Sequence, residues 1–211
     1  MIFNRHSELR GKHSLLAPSQ SQWMSEDYTE EQLFNRFRSR YAQDIGTYLH
    51  ELAETLIREN VRLRKTDKNL VLVHLLQNGI PRAAIDLDRL YSNFMTYVND
   101  GIGFRLTPEQ PLYYSDNCFG TTDGISFRNN FLRIHDYKSG KTPAKMEQLI
   151  CYAALFCLEY RVKPTELDGC ELRIYQNDEI IVHNPAPDEI MHAMNIIVDS
   201  DKYVSEIIIG G

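Results

Sequence analysis

The sequence predicts an α/β fold, a central mixed β-sheet flanked by helices, and three observations carry this. Residues 120–152, GTTDGISFRNNFLRIHDYKSGKTPAKMEQLICY, read as a strand, a tight turn, a second strand and a helix. A second pair of β-rich runs, ELRIYQ and EIIVHN, flanks Asn177-Asp178 and reads as another hairpin. Over residues 29–64, and again after Pro81, apolar residues recur at the three- and four-residue spacing of a helix. Strand pairs interleaved with such helices define the class.

The 211 residues suffice for one domain, expected over 1–211, with 1–17 as a loosely docked arm and 65–105 as a helical insertion. Ser19 or Ser21 is a candidate cap for a short helix near Gln20. Trp23 is read as packing. Leu33, Phe34, Phe37, Tyr41, Ile45, Leu49, Leu52 and Leu56 form one long apolar stripe, and Gly46 within it marks a break or a close approach. LVLVHLLQNGI fits a short strand or a buried helical turn equally well. Pro81 is expected to open a helix to about Asn99, ended by Gly101 and Gly103. Residues 111–119 read as a strand. Residues 144–160 read as an amphipathic helix, and another opens at 187 with Asp188 and Glu189 in its first turn. The terminal EIIIGG is apolar enough to dock or to add a strand.

Composition narrows the function classes. Hydrophobic residues at 43% and charged residues at 25% are ordinary for a soluble protein. No apolar run approaches the ~20 residues of a membrane span, and MIFNRHSELRGKHS lacks the apolar core of a signal peptide, so a cytoplasmic protein without membrane partners is expected. Cys118, Cys151, Cys157 and Cys170 show neither CxxC pairing nor zinc-type spacing and are read as free thiols. A net charge of −6 argues against a large general nucleic-acid surface but permits a local one. Two local basic runs stand out: Arg58, Arg62, Arg64, Lys65 and Lys68, then Lys138, Lys141 and Lys145.

The chemistry concentrates in residues 120–152. Asp136 and Lys138 are two apart on one strand, so they leave the same face. Asp136 also shares its face with Leu132 and Ile134, and a carboxylate continuing an apolar face is costly unless it is paired or metal-bound. Asp123 lies on the preceding strand, and Gln148 and Tyr152 share one face of the following helix. Two carboxylates with a lysine beside them suit Mg2+ or Mn2+, a polarised phosphate and an activated water. The peptide carbonyl of Tyr137 is a further candidate ligand. The run HELAE at 50–54 is not the zinc-protease helix HExxH, because position 54 is Glu.

His50, then GTTDGI, HDYKSGK and QLICYA, in that order, resembles the PD-(D/E)xK nuclease superfamily, most closely its RecB-type branch with the phage-type recombination exonucleases. The resemblance spans residues 50–152 and implies a restriction-endonuclease-like core. It implies His50, Asp123 and Asp136 as metal ligands, Lys138 as catalytic lysine, and Gln148 and Tyr152 as positioning groups. It further implies a Mg2+- or Mn2+-dependent deoxyribonuclease, acting on DNA ends in recombination, repair or processing. A homo-oligomeric ring or a recombination partner protein would fit that role. Thr122 stands where the family name has proline, and Glu109 lies at a spacing too irregular to count as a ligand. The serine pair near residue 20 resembles that branch more loosely. The cysteines do not follow the pattern of the iron–sulfur members, so no iron–sulfur cluster is expected, and no P-loop occurs. The rival readings are an RNA endonuclease of cap-snatching type and a non-catalytic DNA-binding or assembly subunit.

Overall fold

Helices dominate the first half of the chain. A computed structural model describes residue 5, residues 7–9 and residues 14–210, so most of the arm expected over 1–17 lies outside the described residues. The elements that follow are a 3-10 helix over Pro18–Met24, α1 (Glu30–Ser39), α2 (Ala42–Arg58), α3 (Lys68–Gln77) and α4 (Leu87–Gly103). Then come β1 (Thr107–Ser115), β2 (Cys118–Arg128), β3 (Phe131–Tyr137), α5 (Glu147–Tyr160), β4 (Gly169–Gln176), β5 (Glu179–His183) and α6 (Pro187–Gly210).

The strands lie in chain order, β1-β2-β3-β4-β5. Three neighbouring pairs are antiparallel, and β3 with β4 is parallel, because α5 carries the chain back across the sheet. The sheet is therefore mixed, with helices on both faces. On one face α2, α3 and α4 bury Leu49, Leu75 and Phe94 against Tyr137 and Tyr175. On the other, α5 and α6 cover Leu132, Ile134, Leu172 and Ile174. Each such fully buried side chain stabilises the fold by ~1.5–3 kcal/mol. Residues 65–105 carry α3 and α4, and α4 packs directly on the sheet. Buried Asn93 on α4 donates to the carbonyl of Glu179 and accepts from the amide of Asp178, which ties this helix to the β4–β5 turn. Among the described residues no helix is long and apolar enough to cross a membrane.

Local boundaries differ from expectation for identifiable reasons. Neither serine caps the 3-10 helix; Ala17 precedes it, Pro18 occupies its first turn, and no side chain accepts from its amides. The capping serves α1 instead, where the Thr29 hydroxyl takes the Gln32 amide and the Gln32 side chain takes the Thr29 amide. The long apolar stripe divides at Arg40-Tyr41 rather than at Gly46. Gly46 stays helical, and a Cβ there would stand 3.2 Å from the Ser139 hydroxyl, so it marks a close approach. The ambiguous apolar run is the helix α3. Pro81 precedes only a 3-10 turn, Arg82–Ala84, and α4 begins at Leu87 and runs past Asn99 to Gly103. The strand expected over 111–119 is two strands joined at Asp116-Asn117. That corner is held by Ser115 and Asn117 side chains, which both donate to Asp201 on α6. The apolar end of the chain extends α6 instead of adding a strand.

Both later hairpins turn on paired left-handed residues: Asn129 and Asn130 (φ 51° and 54°), and Asn177 and Asp178 (φ 52° and 61°). Asn and Asp tolerate this region, and a β-branched residue does not. Replacing Asn129 with Val should destabilise the fold by ~1–2 kcal/mol, read as a lower urea midpoint with an unchanged slope.

Candidate metal centre

The β1–β2 register pairs Pro108 with Gly124 and Gln110 with Thr122, so Glu109 lies across from Asp123. On the other side, β2 pairs with β3 up to Gly124–His135, and one further step sets Asp123 across from Asp136. Three carboxylates therefore form a row over three adjacent strands, ~4.8 Å apart per strand. Like charges directly opposite on neighbouring strands are destabilising. Glu109 reaches this row through an irregular backbone, with φ 49° at a non-glycine residue.

His50 on α2 closes the row from the helical side. Its Nδ1 is 3.5 Å from Asp123 Oδ2 and 3.6 Å from Glu109 Oε1, too long and misaligned for hydrogen bonds. One ligand atom from each of His50, Glu109 and Asp123 fits within a mutual distance of 4.8 Å. Asp136 is 3% exposed; Lys138 Nζ donates to its Oδ1 at 2.9 Å, while its Oδ2 is buried with no hydrogen-bond partner. Burying such an oxygen unpaired is costly. The orphaned atoms, one imidazole nitrogen and one carboxylate oxygen, belong to groups that a divalent cation accepts as ligands. The donor set of one nitrogen and several carboxylate oxygens suits Mn2+ or Mg2+.

Second contacts fix these groups. The Tyr137 amide donates to Asp123 Oδ2 at 2.8 Å. Tyr97, buried on α4, donates its hydroxyl to the Asp123 carbonyl at 2.8 Å. Gly124 makes room for it, since a Cβ there would stand 3.2 Å from the Tyr97 hydroxyl. On α5, Tyr152 is half-buried over Gly120, and Gln148, one turn before it, is exposed. The electrostatic field of Asp123, Asp136 and Lys138 reaches the Tyr152 hydroxyl. Asp123 in the middle of β2, Asp136 near the end of β3 and His50 on α2 thus come together, and among the described residues the ligand atoms that lie within 4.8 Å of one another are those of His50, Glu109 and Asp123. Glu109 is the one that sequence spacing discounted.

The charges are mutually dependent. Burial pushes the Asp123 carboxyl well above the usual carboxylate range, and the nearby Asp136 pushes the same way, against His50, the Tyr137 amide and Lys138. Burial alone would lower His50, but Glu109, Asp123 and Asp136 outweigh it and raise it. Burial likewise opposes the charge on Lys138, but Asp136 prevails, so it is a firm cation at neutral pH. Elsewhere, burial pushes the Cys157 and Cys170 thiols up to about 11 and 12, which rules both out as nucleophiles near neutrality.

The signs give a pH prediction. Raised folded-state values at His50 and Asp123 contribute stability at low pH, and that contribution is lost as pH rises from the ordinary carboxylate range through the imidazole value of 6.5 and beyond. A cation that takes over the role of the proton restores it. The rise in Tm on adding Mn2+ should therefore be larger at pH 8 than at pH 6, and Asp123→Asn should shrink the difference. Differential scanning calorimetry at both pH values checks this.

Against known proteins, the family described as "Protein of unknown function (DUF2800)" matches residues 13–177, a span that holds every residue of the site. No curated protein and no solved structure matches the chain. Because the match covers most of its length, the chain belongs to the DUF2800 family.

Proposed function

We propose that this chain is a divalent-cation-dependent nuclease that hydrolyses phosphodiester bonds, with DNA as its substrate and chain ends as its point of attack. The observation that carries the reading is the row Glu109–Asp123–Asp136, closed by His50 on one side and by Lys138 on the other. The resemblance of His50, GTTDGI, HDYKSGK and QLICYA to the RecB-type nucleases, which shares these residues and adds Gln148 and Tyr152, supports it.

His50, Glu109, Asp123 and Asp136, with the Tyr137 carbonyl, are the groups that would hold Mg2+ or Mn2+. Such a cation supplies Lewis-acid polarisation of a phosphoryl oxygen and acidifies water. The chain's own residues do the rest. Lys138, held as a cation by Asp136, offers its ammonium N–H groups to the phosphate and offsets the charge that grows there during displacement. Tyr97 and the Tyr137 amide hold Asp123 at both its carbonyl and its carboxylate, which keeps the site preorganised. Gln148 and Tyr152 edge the site from α5, where they would orient Lys138 or the nucleic-acid backbone. An intracellular setting goes with a DNA substrate.

The test compares an end-labelled linear duplex with a closed circle in Mg2+, in Mn2+ and in EDTA. Metal-dependent loss of the linear DNA alone is expected, and Lys138→Ala should slow it by about 10²–10⁴-fold. Cutting of the circle would make the enzyme an endonuclease. Cleavage of matched RNA strands in preference to DNA would select the cap-snatching type of activity. Binding without cleavage in either metal would leave a DNA-binding subunit.

A further inference from the structure

Two cavities of opposite character share the N-terminal half of α2 as a wall. One, of about 580 Å³, is the acidic basin of the metal centre, lined by Gly46, His50, Glu51, Glu54, Glu109 and Asp123 among others. The second, of about 470 Å³, opens on the other side of Ile45, against Arg38, Asp86, Arg89, Ser139, Gly140 and Lys141. They meet where α2 passes Ser139, the residue after Lys138, so closely that a Cβ on Gly46 would stand 3.2 Å from its hydroxyl.

The second cavity carries three cations and one carboxylate. Its two arginines converge on a single oxygen, Asp86 Oδ2, at 3.5 Å from Arg38 and 3.9 Å from Arg89. Neither contact is a good hydrogen bond, and Arg89 Nε is buried with no hydrogen-bond partner. One acid therefore serves two guanidinium groups poorly. The far wall is rigid. Buried Gln176 takes the Ala144 amide and donates to the carbonyls of Gly140 and Thr142, each at 2.8 Å, and Asn177 donates to the Lys141 carbonyl at 3.2 Å. A fixed loop, an unsatisfied guanidinium nitrogen and excess positive charge suit the phosphates of an extended polyanion.

We propose that this groove, built by Arg38, Arg89, Lys141 and the 139–142 loop, holds the phosphate backbone of the nucleic-acid strand next to the scissile position. The inference deepens the nuclease reading and takes from it the identity of the neighbouring centre. The basin itself is acidic and repels phosphates, so the groove is where the strand gains affinity before a cation neutralises the basin. Three of the five cations in the other basic run have partners of their own. Arg58 pairs with Glu54 at 2.8 Å, Lys68 with Asp88 at 3.1 Å, and Arg62 donates to the Asn99 carbonyl.

The experiment measures binding of a fluorescein-labelled 12-nucleotide single strand in Ca2+, by anisotropy across a salt series, with Mn2+ affinity measured separately by calorimetry. The double variant Arg38→Gln/Lys141→Gln alters exposed or half-exposed groups and should keep the wild-type Tm and Mn2+ affinity. It should lose about tenfold in strand affinity at low salt, and its log–log salt slope should become shallower by about 1.4, two single-strand phosphate contacts. Arg89→Lys, which keeps the charge, should retain most of the affinity. The proposal is overturned by unchanged affinity and slope in the double variant, by loss in Arg62→Gln/Arg64→Gln/Lys65→Gln alone, or by a wild-type protein that binds no strand. Groove-dependent binding by a protein that takes up no Mn2+ would keep the groove and defeat the nuclease reading instead.

Discussion

Repulsion within one row of carboxylates is the constraint around which this structure is arranged. Glu109, Asp123 and Asp136 occupy neighbouring positions on β1, β2 and β3. At ~5 Å and an effective dielectric of ~20, each adjacent ionised pair costs on the order of 3 kcal/mol. Nearly every unusual local feature bears on that cost. The Tyr137 amide and the Tyr97 hydroxyl hold Asp123, Lys138 pairs with Asp136, and His50 is driven toward its charged form between two acids. An oxygen of Asp136 and a nitrogen of His50 are still left without partners. A multivalent cation held by these groups would offset the repulsion.

The layered architecture explains how residues so far apart in sequence meet. α2 lies on one face of the sheet and α5 on the other. His50 thus comes from one layer, Gln148 and Tyr152 from the opposite one, and the acids from between. The same α2 separates an acidic basin from a basic groove, so a single helix divides the surface by charge. Tyr97 adds α4 to the arrangement, which makes the segment over 65–105 a structural support of the site.

Much of this was legible because it is written at short range. Alternation of Leu132, Ile134 and Asp136, the Asn129-Asn130 turn and the Asp136-x-Lys138 spacing locate the strands and the face that carries Asp136 without tertiary information. What stayed hidden depends on backbone irregularity or on distant contacts. Glu109 joins the acids only through a left-handed backbone position that no composition signals. The helix α2 ends short of the apolar pattern over 29–64, and α2, α4 and α5 are each followed by a left-handed residue other than glycine: Asn60, Arg105 and Arg161. In each, the next amide bonds back five residues, as Val61 does to Leu56, Leu106 to Gly101 and Val162 to Cys157. The hairpin corner at Asp116-Asn117 is secured by Asp201, more than eighty residues later, and therefore read as continuous strand. Arg38 and Arg89 likewise look like surface charges until the fold brings them beside Ser139.

The clamp on the loop after Lys138 ties the shape of the candidate site to the order of assembly. Gln176 is the last residue of β4, and β4 joins β3 only in parallel, across the whole crossover through α5. Pairings of that kind close late, because chain entropy must be spent before the contact forms. The β1–β2–β3 meander can bring its three acids together early, while the loop beside the lysine gains its fixed shape only when the crossover has closed. A nascent or partly folded chain would therefore gather the acids without the ordered loop beside them until the whole sheet exists.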